Sequence, residues 1–139
     1  MYLSTEKLNL SHELSKMHSE RAGAIVLFSG EVRNQNKGKE VVYLEYEANI
    51  ALADKMLAKI QKEAIEKFAL IDCIVTHRLG KVELLDSAVV IITSSPHRKE
   101  AYESNRWIID RIKHEVPIWK KEVYADGTFD WVLQCEHHS

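Results

Sequence analysis

Hydrophobic and polar positions change rhythm several times along the chain, and each rhythm predicts an element. Ser11 to Glu20 carries a short amphipathic pattern, with Leu14 and Met17 facing inward and Ser11 placed to cap its start. Ala24 to Arg33 opens as a continuous, β-branched apolar run, which predicts a buried strand. Asn34 to Lys39 is a polar loop of turn formers. In the next strand, Val41 to Glu47, the side chains of Tyr43, Glu45 and Glu47 alternate with those of Val42, Leu44 and Tyr46. From Asn49 to Phe68 the period becomes helical, and Ala53, Met56, Leu57, Ile60, Ala64 and Phe68 form one stripe. Ile71 to Thr76 predicts a strand. Leu79 to Leu84 and Ala88 to Ile92 predict a hairpin-linked pair through Leu85-Asp86-Ser87. A second helix spans Pro96 to Glu115, with Ala101, Asn105, Ile108, Ile112 and Val116 inward and Pro117 as its stop. Trp119 to Tyr124 and Phe129 to Leu133 flank the turn Ala125-Asp126-Gly127-Thr128 as a last pair of strands. The strands are joined by short turns and do not repeat as βαβ units, so the expected class is α+β with a largely antiparallel sheet.

Composition narrows this picture. The 139 residues, 45% apolar and 29% charged, suit one compact domain, 1–139, large enough to fold without a disulfide or metal staple. Nineteen basic against 21 acidic residues leave a net charge of −2, whereas a generic nucleic-acid binder is more often strongly basic. No apolar run approaches the roughly 18 residues of a membrane span, and Met1 to Lys7 lacks a basic stretch leading into an apolar one. With two cysteines, Cys73 and Cys135, read as reduced thiols, the expected location is the cytoplasm. Cys73, His77, His97 and Cys135 show no metal-ligand spacing, so no metal and no cofactor is expected. Cys73 reads as core, Trp107 and Trp119 as packing residues, and His137-His138 as a tail.

Three stretches carry candidate chemistry. Ser94-Ser95-Pro96-His97-Arg98 places Ser95 as a helix cap and Pro96 in the first helical position, with His97 and Arg98 in the first turn. Cations there make electrostatic sense if an anion binds, and a solvated helix start accounts for the same residues. In Lys113-His114-Glu115-Val116-Pro117-Ile118-Trp119-Lys120-Lys121-Glu122, extended geometry puts Lys120 and Glu122 on one face and Lys121 on the other. Two ammonium groups, Lys113 and Lys120, converging on a cleft would depress each other's pKa, and Glu122 could orient Lys120. Ordinary surface lysines are the plain alternative. Gly30 to Gly38 ends a strand on Arg33, which could offer a guanidinium to phosphate; it matches neither a Walker loop nor a dinucleotide fingerprint, and a turn between strands explains it equally well.

Together these segments resemble the catalytic (large) subunit family of molybdopterin synthase, over about Gly23 to Val132. The resemblance rests on Gly23-Ala24-Ile25-Val26, Phe28-Ser29-Gly30-Glu31-Val32-Arg33-Asn34, Leu44-Glu45-Tyr46-Glu47-Ala48, His77-Arg78-Leu79-Gly80, Ser94 to Arg98 with Ala101-Tyr102, and Val116 to Glu122. It implies an α/β-hammerhead-like fold with an additional antiparallel sheet. It also implies a reaction, in which cyclic pyranopterin monophosphate receives sulfur from the C-terminal thiocarboxylate of a small ubiquitin-like partner subunit and becomes the molybdopterin dithiolene. The family's large subunit self-associates as a dimer and forms a heterotetramer with the carrier. By position, the resemblance makes Lys113 and Lys120 catalytic. It places Glu31, Val32 and Arg33 in the pocket wall, His97 and Arg98 on the substrate phosphate, and Lys121 and Glu122 beside Lys120. Two departures stand out: Glu31 occupies a position often basic or neutral in relatives, and the tail Leu133-Gln134-Cys135-Glu136-His137 lacks the basic residue often found there. A non-catalytic phosphate- or nucleotide-binding module, or an assembly subunit that captures an extended tail, are the competing readings. Lys→Arg substitution separates them, because anion binding tolerates it and acid/base work does not.

Overall fold

Strand β7 (Ser87–Ser95) is buried at all nine positions in the computed structural model, which describes residues 2–136. The reason is that the sheet containing it is covered on both faces. That sheet runs β1 (Leu3–Ser4), β5 (Asp72–Arg78), β7, β2 (Ala24–Glu31), antiparallel except for the β1–β5 pair. Alternate residues of β7 point opposite ways. Val89 and Ile91 join the main core with Ala53, Leu57 and Ile60 of α2 (Ile50–Phe68) and Ile108 and Ile112 of α3 (Arg98–Glu115). Val90 and Ile92 meet Leu8 and Met17, next to the short α1 (Leu10–Ser15). Full burial of an Ile or Leu side chain stabilises by about 1.5–3 kcal/mol, so this two-sided strand anchors both layers.

The second sheet is built on β4 (Lys39–Ala48). On one side β4 pairs with β3 (Gln35–Asn36) and β6 (Gly80–Glu83), and on the other with β8 (Ile118–Tyr124), which pairs in turn with β9 (Phe129–Leu133). Both helices predicted from apolar stripes are present, and Asn9 and Asn49 cap α1 and α2 through their side chains. The architecture is a mixed α+β domain with two sheets.

Several local expectations are corrected. The predicted hairpin between Leu79–Leu84 and Ala88–Ile92 does not form. Both edges of β7 are taken by β5 and β2, so β6 pairs with β4 in the other sheet. Gly80 at φ 85° turns the chain out of β5, and Leu85 at φ 71° turns it back. The loop Asn34 to Lys39 contains a tight hairpin, with Lys37 and Gly38 both at positive φ, the signature of a primed two-residue turn. In β4 a register irregularity between Val41 and Tyr43 buries Val41 and leaves Val42 exposed, against the simple alternation expected there. Helix α1 is capped by Asn9 instead of Ser11 and ends at Ser15, although Met17 beyond it is buried. Helix α3 starts later than expected. Ser95 still belongs to β7, and His97 takes the cap position with no side-chain bond to the helix. Gly23 lies so close to the Pro96 carbonyl oxygen that a Cβ would collide with it, which ties the start of β2 to this junction. Trp107 packs edge-on against Phe68, whereas Trp119 is 46% exposed on the outer face of β8. His137 and His138, read as a tail, lie outside the described residues.

Candidate active site

The two sheets diverge where β2 and β5 end, and the C-terminal turn of α3 closes the gap. The resulting cleft has a volume of about 680 Å³. Its position follows from local rules. Asn105 of α3 is buried and donates to the Val26 carbonyl at 3.0 Å and the Ile91 carbonyl at 3.1 Å, fastening the helix across β2 and β7. Near its other end Arg111 pairs with Glu63 of α2 at 2.6 Å, pairs with Glu115, and stacks on Trp107. Helix α3 is thereby held so that Lys113, in its last turn, reaches the cleft. A cation suits the negative end of the helix dipole.

Arg33, Lys113 and Lys120 all line this cleft, from two residues past the end of β2, which stops at Glu31 and not at Arg33 as expected, from the end of α3 and from the middle of β8. Burial lowers the pKa of Lys113, and the neighbouring charges of Lys120 and Arg33 lower it further. Lys120 is steadied by Glu122, two residues along the same face of β8, at 3.3 Å. The Glu122 carboxylate is 4% exposed and well served. Asn36 Nδ2 donates to its two oxygens at 2.8 and 2.7 Å, and the Tyr124 hydroxyl donates at 2.8 Å. Burial pushes its pKa up, but the bonds from Asn36 and Tyr124 and the charge of Lys120 outweigh that and hold it below the ordinary value. Burial and the two carboxylates, Glu122 and Asp130, that face the Tyr124 phenol push its pKa well up, so it remains a donor.

The other predicted residues are distributed differently. Glu31 lines the cleft from an exposed position and accepts a bond from Ser29 Oγ at 3.2 Å. Val32 is 2% exposed and packed in the main core, its backbone bonded to Asp86 and Leu85. Lys121 faces the opposite side of β8. It lies 3.9 Å from Glu45 and sits over the Phe129 ring at 4.4 Å. His97 and Arg98 are exposed at the far end of α3. Fifteen residues separate Arg98 from Lys113, a helical rise of roughly 22 Å, so one chain does not bring the His-Arg pair to the cleft.

Among the lining residues that the sequence does not single out as site residues are Asn36, His77 and Gln134. A signal existed for His77, because Cys73, Val75 and His77 continue one inward period of two along β5. Asn36 had none, since its reach to Glu122 spans 86 positions. Cys73 is buried, and burial followed by the charge of Asp72 raises its thiol pKa to about 12, which makes it an inert core residue. Among the described residues no group of three or more His, Cys, Asp or Glu is placed to hold a metal ion, and no helix is long and apolar enough to cross a membrane.

The MoaE protein family model matches residues 3–115. The molybdopterin synthase catalytic subunit of Pyrococcus abyssi is 37% identical over 132 residues, covering 95% of this chain and 88% of the relative. That of Staphylococcus epidermidis is 50% identical over 113 residues, covering 81% and 75%. Among solved structures, molybdopterin synthase from Staphylococcus aureus superposes with a TM-score of 0.87 at 42% identity, covering 94% of this chain and 95% of that one. A cationic cleft built on this fold, with these relatives across nearly the whole chain, places the protein plainly: it belongs to the MoaE family.

Proposed function

We propose that the chain is the catalytic subunit of a molybdopterin synthase. It would act in the cytoplasm on cyclic pyranopterin monophosphate, taking sulfur from the thiocarboxylate tail of a small ubiquitin-like carrier. The relatives' description as catalytic subunits supports both the activity and the need for a second kind of subunit. The observation that carries the reading is the convergence of Arg33, Lys113 and Lys120 on one cleft, with the Lys113 ammonium made more acidic than usual.

The reaction asks for these groups. A thiocarboxylate and a cyclic phosphate are both anions, and fixed cations offset their repulsion and the charge that develops as sulfur attacks. A lysine whose pKa is lowered, as that of Lys113 is, can also supply and remove the protons needed when the cyclic phosphate opens and water leaves. After sulfur has moved, the carrier's acyl carbon must end as a carboxylate through attack by water, and Lys120, oriented by Glu122, is placed to assist. Lys113 and Lys120 are the proposed catalytic residues. Arg33 and Glu31 form the wall, with Val32 serving as their packed anchor.

The His97–Arg98 pair remains the proposed holder of the substrate phosphate, on condition that it comes from a second copy of the chain. The dimer and the heterotetramer with the carrier supply that arrangement, and residues 1–139 act as one unit within it. A composite site is open to complementation. Mixing Lys120→Ala chains with His97→Ala/Arg98→Ala chains should restore about a quarter of wild-type activity, since half the dimers are mixed and each mixed dimer holds one intact site. No recovery on mixing would refute the cross-subunit role.

The reading itself is tested by combining the purified chain, the substrate and a thiocarboxylated carrier and following products by mass spectrometry. Dithiolene product, lost in Lys120→Ala, is expected. Binding of the cyclic phosphate without product would leave only a phosphate-binding module.

A further inference from the structure

One buried titratable group at the cleft has no part in the chemistry described so far. His77 is 2% exposed, the least exposed polar residue of the cleft lining, and it sits at the end of β5. Its ring stands edge-on to Tyr46 of β4, with centroids 5.0 Å apart. The register neighbours on either side, Leu3 of β1 and Val89 of β7, are apolar, and the charged group facing it is Lys113 of α3.

The tautomer follows from one contact. His77 Nδ1 lies 2.8 Å from the Arg78 carbonyl oxygen, which can only accept, so Nδ1 carries the hydrogen. Burial lowers the pKa to about 4; the bond to the Arg78 carbonyl works against this and the Lys113 charge adds to it. At neutral pH the ring is therefore uncharged, and Nε2 presents a lone pair. Among the described residues Nε2 meets no donor. Nε2 is not one of the buried unpartnered side-chain atoms, which among the described residues are Arg78 Nε and Nη1 and Glu100 Oε2, so this acceptor opens to the cleft, where a partner from outside the chain can reach it.

The neighbours specify what that partner is. Arg33, Lys113 and Lys120 offer donors to anionic oxygens, and the buried Glu122 is occupied by Asn36, Tyr124 and Lys120. A deep, neutral acceptor beside them suits the uncharged, hydrogen-bearing part of a ligand whose anionic part the cations hold. We propose that His77 is a substrate-contacting residue whose Nε2 accepts a hydrogen bond from an N–H or O–H group on the ring system of the phosphorylated substrate. It acts as an acceptor that selects and orients the ring; it does not shuttle protons. This rests on the proposed synthase reading and names a recognition element within it.

The test uses the full chain in complex with its carrier, with ¹⁵N-labelled histidine, at pH 7. His77 should show the neutral Nδ1–H form with an unprotonated Nε2. Cyclic pyranopterin monophosphate should shift the Nε2 resonance upfield, and inorganic phosphate should leave it in place. An Nε2–H tautomer, an imidazolium, or equal responses to the two probes would overturn the assignment. In parallel, His77→Phe removes the acceptor while keeping an aromatic ring beside Tyr46, and His77→Gln restores an acceptor oxygen. His77→Phe should lower kcat/KM roughly 3- to 10-fold, mainly through KM, with partial recovery in His77→Gln. A structural role alone would lower thermal stability and leave the wild-type substrate titration flat. Wild-type turnover combined with an unresponsive His77 resonance defeats this inference and spares the synthase reading. Absence of wild-type turnover defeats both.

Discussion

Lys120 and Lys121 are adjacent in β8 and chemically identical, yet they live in different worlds. Lys120 points into the cleft, beside a buried carboxylate held by Asn36 and Tyr124 and close enough to Lys113 to disturb its proton affinity. Lys121 points outward, lies over the exposed Phe129 ring, and faces Glu45 at 3.9 Å. Strand parity alone decides which lysine joins the chemistry. On the inner face the surroundings are shared by elements far apart in sequence, so a substitution disturbs several groups together. On the outer face Lys121 makes a weak pair with Glu45 and lies over the Phe129 and Trp131 rings, away from the cleft, so a substitution there disturbs little of the chemistry.

The contrast can be broken at several points. The largest effect is expected at Lys120. Lys120→Ala should lower turnover by roughly 100-fold or more while circular dichroism and the melting curve stay near wild type, as befits loss of a charge-stabilising or proton-transfer group. Lys113→Met should cost nearly as much activity and raise Tm. Its sign follows from linkage. A lysine whose pKa is lowered by folding is penalised below its native pKa, and the penalty is relieved as pH rises from there toward the unfolded value. Removing the charge removes the penalty, so a fall in Tm would contradict the account.

Glu122→Gln should have an intermediate effect, about 10-fold on activity, because Lys120 loses its orienting charge. It also changes the acid limb of stability. A carboxyl held below its ordinary value of 4.5 stabilises the fold above that value and ceases to do so as pH falls through its native pKa. Wild type should therefore lose more stability than Glu122→Gln between pH 5 and more acidic conditions, measured by urea unfolding. The smallest effect belongs to the outer face. Lys121→Ala should alter kcat/KM by less than about 3-fold and stability by about 0.5 kcal/mol or less.

Periodicity made much of the scaffold legible. In the α2 stripe Ala53, Leu57, Ile60 and Ala64 are buried and Met56 and Phe68 are half-buried against the same core, and the opposite orientations of Lys120 and Lys121 follow from alternation in β8. The β6–β7 hairpin was misjudged because local turn chemistry says where a chain reverses, without saying which sheet has a free edge to receive it. The site was legible as residue types and family motifs, but convergence depends on tertiary placement. Arg33 and Lys120 lie 87 positions apart yet share a cleft, whereas Arg98 and Lys113, on one helix, are kept apart by its length. Asn36 matters through its bonds to both oxygens of Glu122, which leave no mark on composition or spacing, whereas the period of β5 turns His77 inward without showing that its Nε2 lacks a donor.

The central claim is that cations from separate elements act on one another inside a single cleft. The most direct measurement is the NMR titration of the Lys113 side chain in wild type and in Lys120→Met. The account predicts a Lys113 pKa below the ordinary 10.5 in wild type and an upward move when the Lys120 charge is removed. A Lys113 that titrates at or above 10.5 in both proteins would contradict it.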